Sequence, residues 1–432
     1  MKHIRNYNQL ATNEDRKVVL DLIETAYTAI QPAHVFEHNF LLDGNLLKIS
    51  DQTFDISMFD GIFLLGFGKG SAGNCKLLEE KLGDRISDGY DIDVVEDLHF
   101  QKVHYTKGTH PLPSEQNIAF TRHALEHLEH VTEKDLVLIV TCGGGSVLFE
   151  APTKLSLEEI TAVNKALLKS GADITEMNAV RKHLSRVKGG GLAKILYPTT
   201  VINLIFSDVP GNDLSVIASG PLVADHSTMA DVKKIITKYE LDKKIKLPPD
   251  AFSETPTDPK YYKNVHNILM LSNHTALTAM EKLAKEKGLN THVLTDRLQE
   301  DARILGEKLI KETPPGQLLL AGGESTIKIK GTGKGGRNQA LVLSALDYLT
   351  KELKHTSNII LASFGSDGWD FYKLAGAIAD KDTLKKVEEL HLDAQSFLAD
   401  DNSYGFWEKV GDGILTGHLD SNVSDLYIVF KP

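Results

Sequence analysis

The stretch 136–148 constrains the fold more than any other. Leu136-Val137-Leu138-Ile139-Val140 is a short, wholly apolar run rich in β-branched residues. Such a run predicts a strand buried on both faces, as in the centre of a parallel sheet. Thr141-Cys142-Gly143-Gly144-Gly145-Ser146 follows at once. After Pro152, residues 156–170 are amphipathic and begin at Ser156 with Glu159 three residues on, a capping box. A strand, a glycine turn and a helix start together aim backbone N–H groups at an anion, and glycine lets the anion approach the backbone. Gly143, Gly144, Gly145 and Ser146 are therefore expected to line a phosphate or carboxylate site. The alternative is an ordinary strand-to-helix turn.

A chain of 432 residues exceeds a single core and predicts two or three domains. Its formal net charge of −11 argues against a broad surface for nucleic acid or anionic membrane, so clustered cations must serve a local anion. Only two cysteines occur, Cys75 and Cys142, which points to a reducing compartment and no disulfide framework. Residues 1–17 are polar, and no run approaches the roughly 18 apolar residues of a membrane span. A cytoplasmic protein with small-molecule partners, neither nucleic acid nor membrane, is expected. The oligomeric state stays open, a homodimer included.

A second buried strand, Ile62-Phe63-Leu64-Leu65, runs into Gly66-Phe67-Gly68-Lys69-Gly70-Ser71-Ala72-Gly73 and a helix. Gly68, Gly70 and Gly73 fit the dinucleotide pattern G-x-G-x-x-G, with Asp88, Asp91 and Asp93 near the place of a ribose-binding carboxylate. Lys69 inside the turn suits a transferred group or a substrate anion better than a dinucleotide. His123, His127 and His130 share a helical face but lack a carboxylate or thiol to complete a metal set, so they read as a solvated face. Between Arg181 and Lys188 lie five basic side chains, counting His183. Helical spacing puts Arg181, Ser185 and Lys188 on one face. That face is either a phosphate clamp or a helix end where the dipole favours cations.

Residues 201–206 predict a third buried strand, with Asp208 just past its end, where α/β sheets bind ligands. Asp208 is a candidate Mg²⁺ ligand; local turn bonding is the alternative. Residues 229–262 turn lysine-rich and then proline-rich, the best linker, and the boundary is placed to give domains 1–235 and 236–432. Beyond it come strands at 268–271, 292–294 and 318–320 and a helix at 275–287. Glu324 lies in a turn before an alternating strand. Gly331-Thr332-Gly333-Lys334-Gly335-Gly336-Arg337 opens a helix over 340–348. A strand at 359–362 leads to Asp367, and a strand at 426–430 closes the chain. At the other end, a helix over 14–30 is capped by Asn13.

In order, GFGKGSAG, TCGGGSVLFEAP, EMNAVRKHLSRVKGGGLA, SDVPGNDLSVIASGP, GGEST, GKGGRNQALVL and GSDG make the chain resemble the glycerate 2-kinase family, whose C-terminal half is the MOFRL domain. The resemblance runs from Gly66 to Phe430. It implies an ATP- and Mg²⁺-dependent kinase acting on the 2-hydroxyl of D-glycerate. It implies two α/β domains: a Rossmann-like N-terminal domain with a mostly parallel sheet, and a MOFRL-type α/β domain, with the active site in a cleft between them. The family's functional lysine and arginine fall on Lys69 and Arg337. Two stretches depart from the family's small residues, Gly368-Trp369-Asp370-Phe371-Tyr372-Lys373 and the run from Thr416 to Asp425, which widens the expected acceptor to related hydroxy acids.

Phosphoryl transfer needs positioning and charge neutralisation more than covalent chemistry. Lys69, Arg181 and Arg337 are expected to bind the acid's carboxylate and the migrating phosphoryl group, with Lys188 in the same anion-binding set. The N–H groups of Gly143 to Ser146 and of Gly335 and Gly336 would hold phosphates. Asp208 and Asp367 would bind Mg²⁺, and one of them or Glu324 would take the hydroxyl proton. Cys142 reads as an inert thiol. The rival readings are an NAD(P)-dependent hydroxypyruvate reductase built on Gly68 to Gly73, and a non-catalytic sensor of a sugar acid.

Overall fold

The computed structural model describes residues 2–432 except 97, 246, 249 and 353–357. Lys246 and Pro249, within the expected linker, therefore lie outside the described residues. The chain packs as two compact units. One holds residues 36–207 and 212–270, the other residues 1–35, 208–211 and 271–432.

The first unit opens with an antiparallel three-stranded sheet, β1 (Phe40–Asp43), β2 (Leu46–Ile49) and β3 (Gln52–Asp55). Six further strands follow: β4 (Gly61–Phe67), β5 (Ile86–Asp93), β6 (Val103–Lys107), β7 (Asp135–Cys142), β8 (Thr200–Phe206) and β9 (Val265–Leu271). They form one sheet in the order β6-β5-β4-β7-β8-β9. The pairs from β6 through β8 are all parallel. This is the Rossmann order, with the strand direction of travel reversing between β4 and β7. Those two strands are central because their side chains suit burial on both faces: Leu64, Leu65, Val137, Leu138 and Ile139 are fully buried. Phe67 and Phe149 stack at 4.6 Å beneath the ends of the strands.

The described residues of the expected linker belong to the first unit. Thr228 and Asp231 form a capping box on the helix Met229–Lys238. Val232, Ile235, Leu241 and Ala251 then pack with Ile160, Val163, Leu167 and Val180 as one apolar cluster. β9 still joins the first sheet beside β8. The division between units thus falls near residue 270 and not at 235, because lysines on one face of this helix masked an apolar stripe on the other.

The second unit carries β10 (Thr291–Leu298), β11 (Gln317–Gly323), β12 (Ile360–Gly365), β13 (Gly376–Ala379), β14 (Gly413–Ile414) and β15 (Asp425–Lys431). Their order is β10-β11-β15-β12-β13-β14; β10 and β11 are parallel and the other pairs antiparallel. The helix Arg337–Glu352 buries Leu341, Val342 and Leu346 against Leu305, Leu309 and Trp407. The alternating stretch 327–330 is not a strand. The Asp401 carboxylate accepts from the N–H groups of Lys330 (2.6 Å) and Gly331 (2.7 Å), so these donors serve a side chain instead of a neighbouring strand.

The N-terminal helix, Glu14–Ala29 with Asn13 as its cap, belongs to this second unit. Arg16 explains why. It is fully buried, and its guanidinium meets Asp380 at 2.8 Å, Asp412 at 2.9 Å and the Thr383 hydroxyl at 2.6 Å. No helix among the described residues is long and apolar enough to cross a membrane.

Removing one member of a buried charge network leaves its partners uncompensated, at a cost of about 3–5 kcal/mol. Arg16→Met is expected to lower unfolding stability by about that amount, read from urea denaturation. A loss below about 1 kcal/mol would mean that the N-terminal helix does not depend on this network.

Candidate functional site

The C-terminal ends of β4 and β7 lie side by side, and each runs straight into a glycine turn. At Gly68 (φ +116) a Cβ would stand 2.5 Å from the Cys142 carbonyl oxygen, so only glycine lets the turns approach this closely. The Lys69 N–H then donates to the Gly143 carbonyl at 2.8 Å. Gly144 takes a left-handed conformation (φ +76) and starts the short helix Gly145–Leu148. The His110 ring and the Lys69 side chain both flank Gly144. Burial, helped by the Lys69 charge, pulls the His110 pKa down. Among the described residues nothing accepts from the N–H groups of Gly145 and Ser146. The Ser146 hydroxyl meets that of Ser219 at 2.8 Å.

The neighbouring turn is closed. Asp93, at the end of β5, accepts from the N–H groups of Gly70 (2.9 Å), Ala72 (3.2 Å) and Val94 (2.6 Å). The start of the helix Ser71–Leu82 is thereby filled by the protein's own carboxylate, whose pKa burial raises. A dinucleotide pyrophosphate needs those same amides. Asp93, one of three acids near the place of a ribose-binding carboxylate, is instead a cap.

Beside the open turn is a pocket lined by Ser146, Val147, Glu150, Asn164, Arg181 and Lys188. Arg181 is half-buried and donates from Nε to Asn164 Oδ1 at 2.8 Å. Burial lowers its pKa, opposed only by the Glu150 charge. Lys188 does not share a helical face with Arg181. The helix Ile174–Lys182 stops at a cap on His183, and Ser185 bridges to Pro152 in extended pairing. Lys188 reaches the pocket through a turn, fully buried, and forms an ion pair with Glu150. Its expected anion is thus supplied internally, and burial depresses its pKa. His123 and His127 are exposed, as expected, with their rings 4.4 Å apart and packed on Tyr90. Cys142 is buried.

The second unit holds a separate polar cluster. Arg337 begins its helix and bonds Glu324 Oε1 at 2.7 Å and Asp425 Oδ1 at 3.3 Å. Asn338 also donates to Asp425, at 2.8 Å. Asp370 accepts from the backbone N–H groups of Asn338 (3.2 Å) and Gln339 (2.8 Å). Burial, with repulsion from Asp425, pushes the Asp370 pKa up to about 7. Next to Gly335 and Gly336, a phosphate at this helix start would therefore meet the charge of a carboxylate seated on the two following amides. The preceding loop is likewise tied down, with Thr332 N–H on Asp400 at 3.0 Å and Gly333 N–H on the Asp400 carbonyl at 2.8 Å.

Asp208 and Asp367 each follow a buried strand, in the same unit. The Asp208 carbonyl accepts from the Ser424 hydroxyl at 2.5 Å. Asp367 accepts from Trp369 N–H at 3.0 Å through its carboxylate and from Leu419 N–H at 2.8 Å through its carbonyl. Among the described residues neither belongs to a cluster of three metal-ligating side chains. Hard carboxylates of this kind suit Mg²⁺, which takes one or two of them and completes its shell with water and phosphate.

Glu150, Asn164, Asp370 and Asp425 were not singled out as site residues from sequence. Glu150 had one signal: an acid inside the apolar run Val147-Leu148-Phe149-Glu150-Ala151. Nothing local marks Asn164, which acts across 17 residues from Arg181.

Residues 18–251 match the family described as a domain of unknown function (DUF4147), and residues 317–425 match the MOFRL family. The chain is 38% identical over 389 residues to the D-glycerate 2-kinase of Thermotoga maritima, covering 85% of this chain and 90% of that one. It is 32% identical over 434 residues to the glycerate 2-kinase of Pyrococcus horikoshii, covering 96% of each. A protein named a putative hydroxypyruvate reductase, from Agrobacterium vitis, is 36% identical over 75% of this chain and 76% of its own length. The crystal structure of the Thermotoga maritima glycerate kinase superposes with a TM-score of 0.84 at 34% identity, covering 96% of this chain and 99% of that one.

Behind the closed turn, Asp91 is fully buried, takes a bond from the Cys75 thiol at 3.6 Å and leaves Oδ2 without a partner. Burial pushes its pKa up to about 7. The fold therefore favours the protonated acid, so its contribution is present at low pH and lost as pH rises through about 7. Unfolding midpoints taken between pH 5 and pH 8 should fall more steeply for the natural chain than for Asp91→Asn. Parallel slopes would show that Asp91 is ionised throughout.

Proposed function

Because the chain belongs to the glycerate 2-kinase family and carries its MOFRL domain, we propose that it transfers the γ-phosphoryl group of ATP to the 2-hydroxyl of D-glycerate or a close hydroxy acid. One observation carries most of the reading: at the strand-order reversal of a Rossmann sheet, the amides of Gly145 and Ser146, beside Lys69, have no acceptor among the described residues, while the neighbouring turn is closed by Asp93.

In this reading the amides of Gly145 and Ser146 donate to phosphate oxygens, which backbone donors at such a turn do without side-chain reorganisation. Lys69 neutralises charge on the migrating group, and Arg181 holds the acid's carboxylate. Arg337, kept in orientation by Glu324 and Asp425, supplies the second cation that a loose, highly charged transition state requires. The 2-hydroxyl loses its proton to a carboxylate, Glu324 or Asp208, as its oxygen bonds to phosphorus and the bond from phosphorus to the ADP oxygen breaks. Asp208 and Asp367 would hold Mg²⁺, which when bound offsets phosphate charge. Lys188 acts by fixing Glu150 and is not itself an anion ligand. Two buried free thiols suit a cytoplasmic setting.

The reductase alternative has less support. It needs the amides that Asp93 occupies, and it shares its name with a relative called putative. Incubation with D-glycerate and ATP–Mg²⁺ should release ADP, and D-glycerate with NAD⁺ should give no reduced nicotinamide. The opposite pair of results would replace the kinase with the reductase.

Loss of one preorganised charge-stabilising donor costs about 10²–10³ in turnover. Lys69→Ala is expected to lose at least that factor in kcat, with an unchanged far-ultraviolet circular dichroism spectrum because the side chain is exposed. Near-natural turnover would remove Lys69 from the scheme.

A further inference from the structure

Glu150 is 5% exposed and spends one carboxylate oxygen, Oε2, on Lys188. Its backbone N–H is taken by the Thr121 hydroxyl at 3.1 Å, so the residue is held rigidly. The other oxygen, Oε1, is buried without a hydrogen-bond partner. A buried carboxylate oxygen left unpaired is costly, and on a residue that lines a pocket it asks for a donor from outside the protein. The same pocket holds Arg181, whose guanidinium bonds only the neutral Asn164 among the described residues. Within this pocket the charges are two cations and one carboxylate, leaving a single positive charge unbalanced. The ligand that completes it carries one negative group for Arg181 and a hydroxyl donor for Glu150. Leu112, Val147 and Leu168 supply the apolar wall against which a short carbon chain would lie.

We infer that Glu150 is a specificity-determining residue: its free oxygen accepts a hydroxyl of a small hydroxy carboxylate whose carboxylate is held by Arg181. The kinase reading supplies only the identity of the acid, D-glycerate. Hydroxyl recognition by a charged acceptor gives strong discrimination, because an acid lacking the hydroxyl leaves Oε1 buried and unpaired. Lys188 is a positioning residue that fixes which oxygen of Glu150 is spent and which is free.

The test is calorimetric binding to the full chain without nucleotide, comparing D-glycerate with propionate, which has the same carbon count and charge but no hydroxyl. The natural chain should prefer D-glycerate by at least about tenfold. Glu150→Gln, which replaces a charged acceptor by a neutral one, should cut that ratio by about threefold or more. The double variant Glu150→Leu/Lys188→Met removes both charges together, avoiding a lone buried ammonium, and should bring the ratio close to one. Arg181→Met should weaken both acids and leave the ratio unchanged. The inference is overturned if the natural chain binds both acids alike, or if folded Glu150→Gln keeps the full preference. Because no ATP is present, a chain that shows the preference yet never releases ADP would sink the kinase reading and leave this one standing.

Discussion

The hydrogen bond from the Lys69 amide to the Gly143 carbonyl, 2.8 Å long, ties together the turns that end two adjacent parallel strands. The contact requires glycine at 68, where any side chain would strike the backbone of Cys142. It also sets where Lys69 emerges, next to Gly144 and His110. Everything proposed for the first unit depends on this join. It stands where a Rossmann sheet reverses its strand order and leaves a crevice outside the strand ends.

Two glycine-rich helix starts among the described residues are closed by a carboxylate from elsewhere in the chain. Asp93 fills the start of the helix Ser71–Leu82, and Asp370 fills the start of Arg337–Glu352. Each carboxylate answers the same demand, unsatisfied amides and a positive dipole end. Burial raises the pKa of both. A helix start that already holds a carboxylate repels a second anion, so glycine-rich sequence alone does not identify a phosphate site. The turn at Gly143 differs because the acid in the adjoining pocket, Glu150, is turned to Lys188, leaving Arg181 and the turn amides with net positive character.

The chain sequence made most of the scaffold legible. Apolar β-branched runs located β4, β7 and β8, and the capping residues Asn13 and Ser156 marked their helices. The ordered motifs carried the family. What stayed hidden was set at long range. Arg16 joins the N-terminal helix to Asp380 and Asp412, more than 360 residues away, so no local pattern could assign that helix to the second unit. The stretch 229–262 looked like a linker because its charge was visible and its apolar stripe was spread over helical turns. Lys188 was misplaced because helical spacing was extended past His183, where the helix stops.

The central claim is that one glycine turn is open to an anion while its hydrogen-bonded neighbour is closed. Backbone amide resonances report this directly. On titration of the labelled chain with glycerate 2-phosphate, the amides of Gly145 and Ser146 should shift, while those of Gly70 and Ala72 stay on Asp93 and keep their positions. Shifts at Gly70 and Ala72 with Gly145 and Ser146 unmoved would contradict the account.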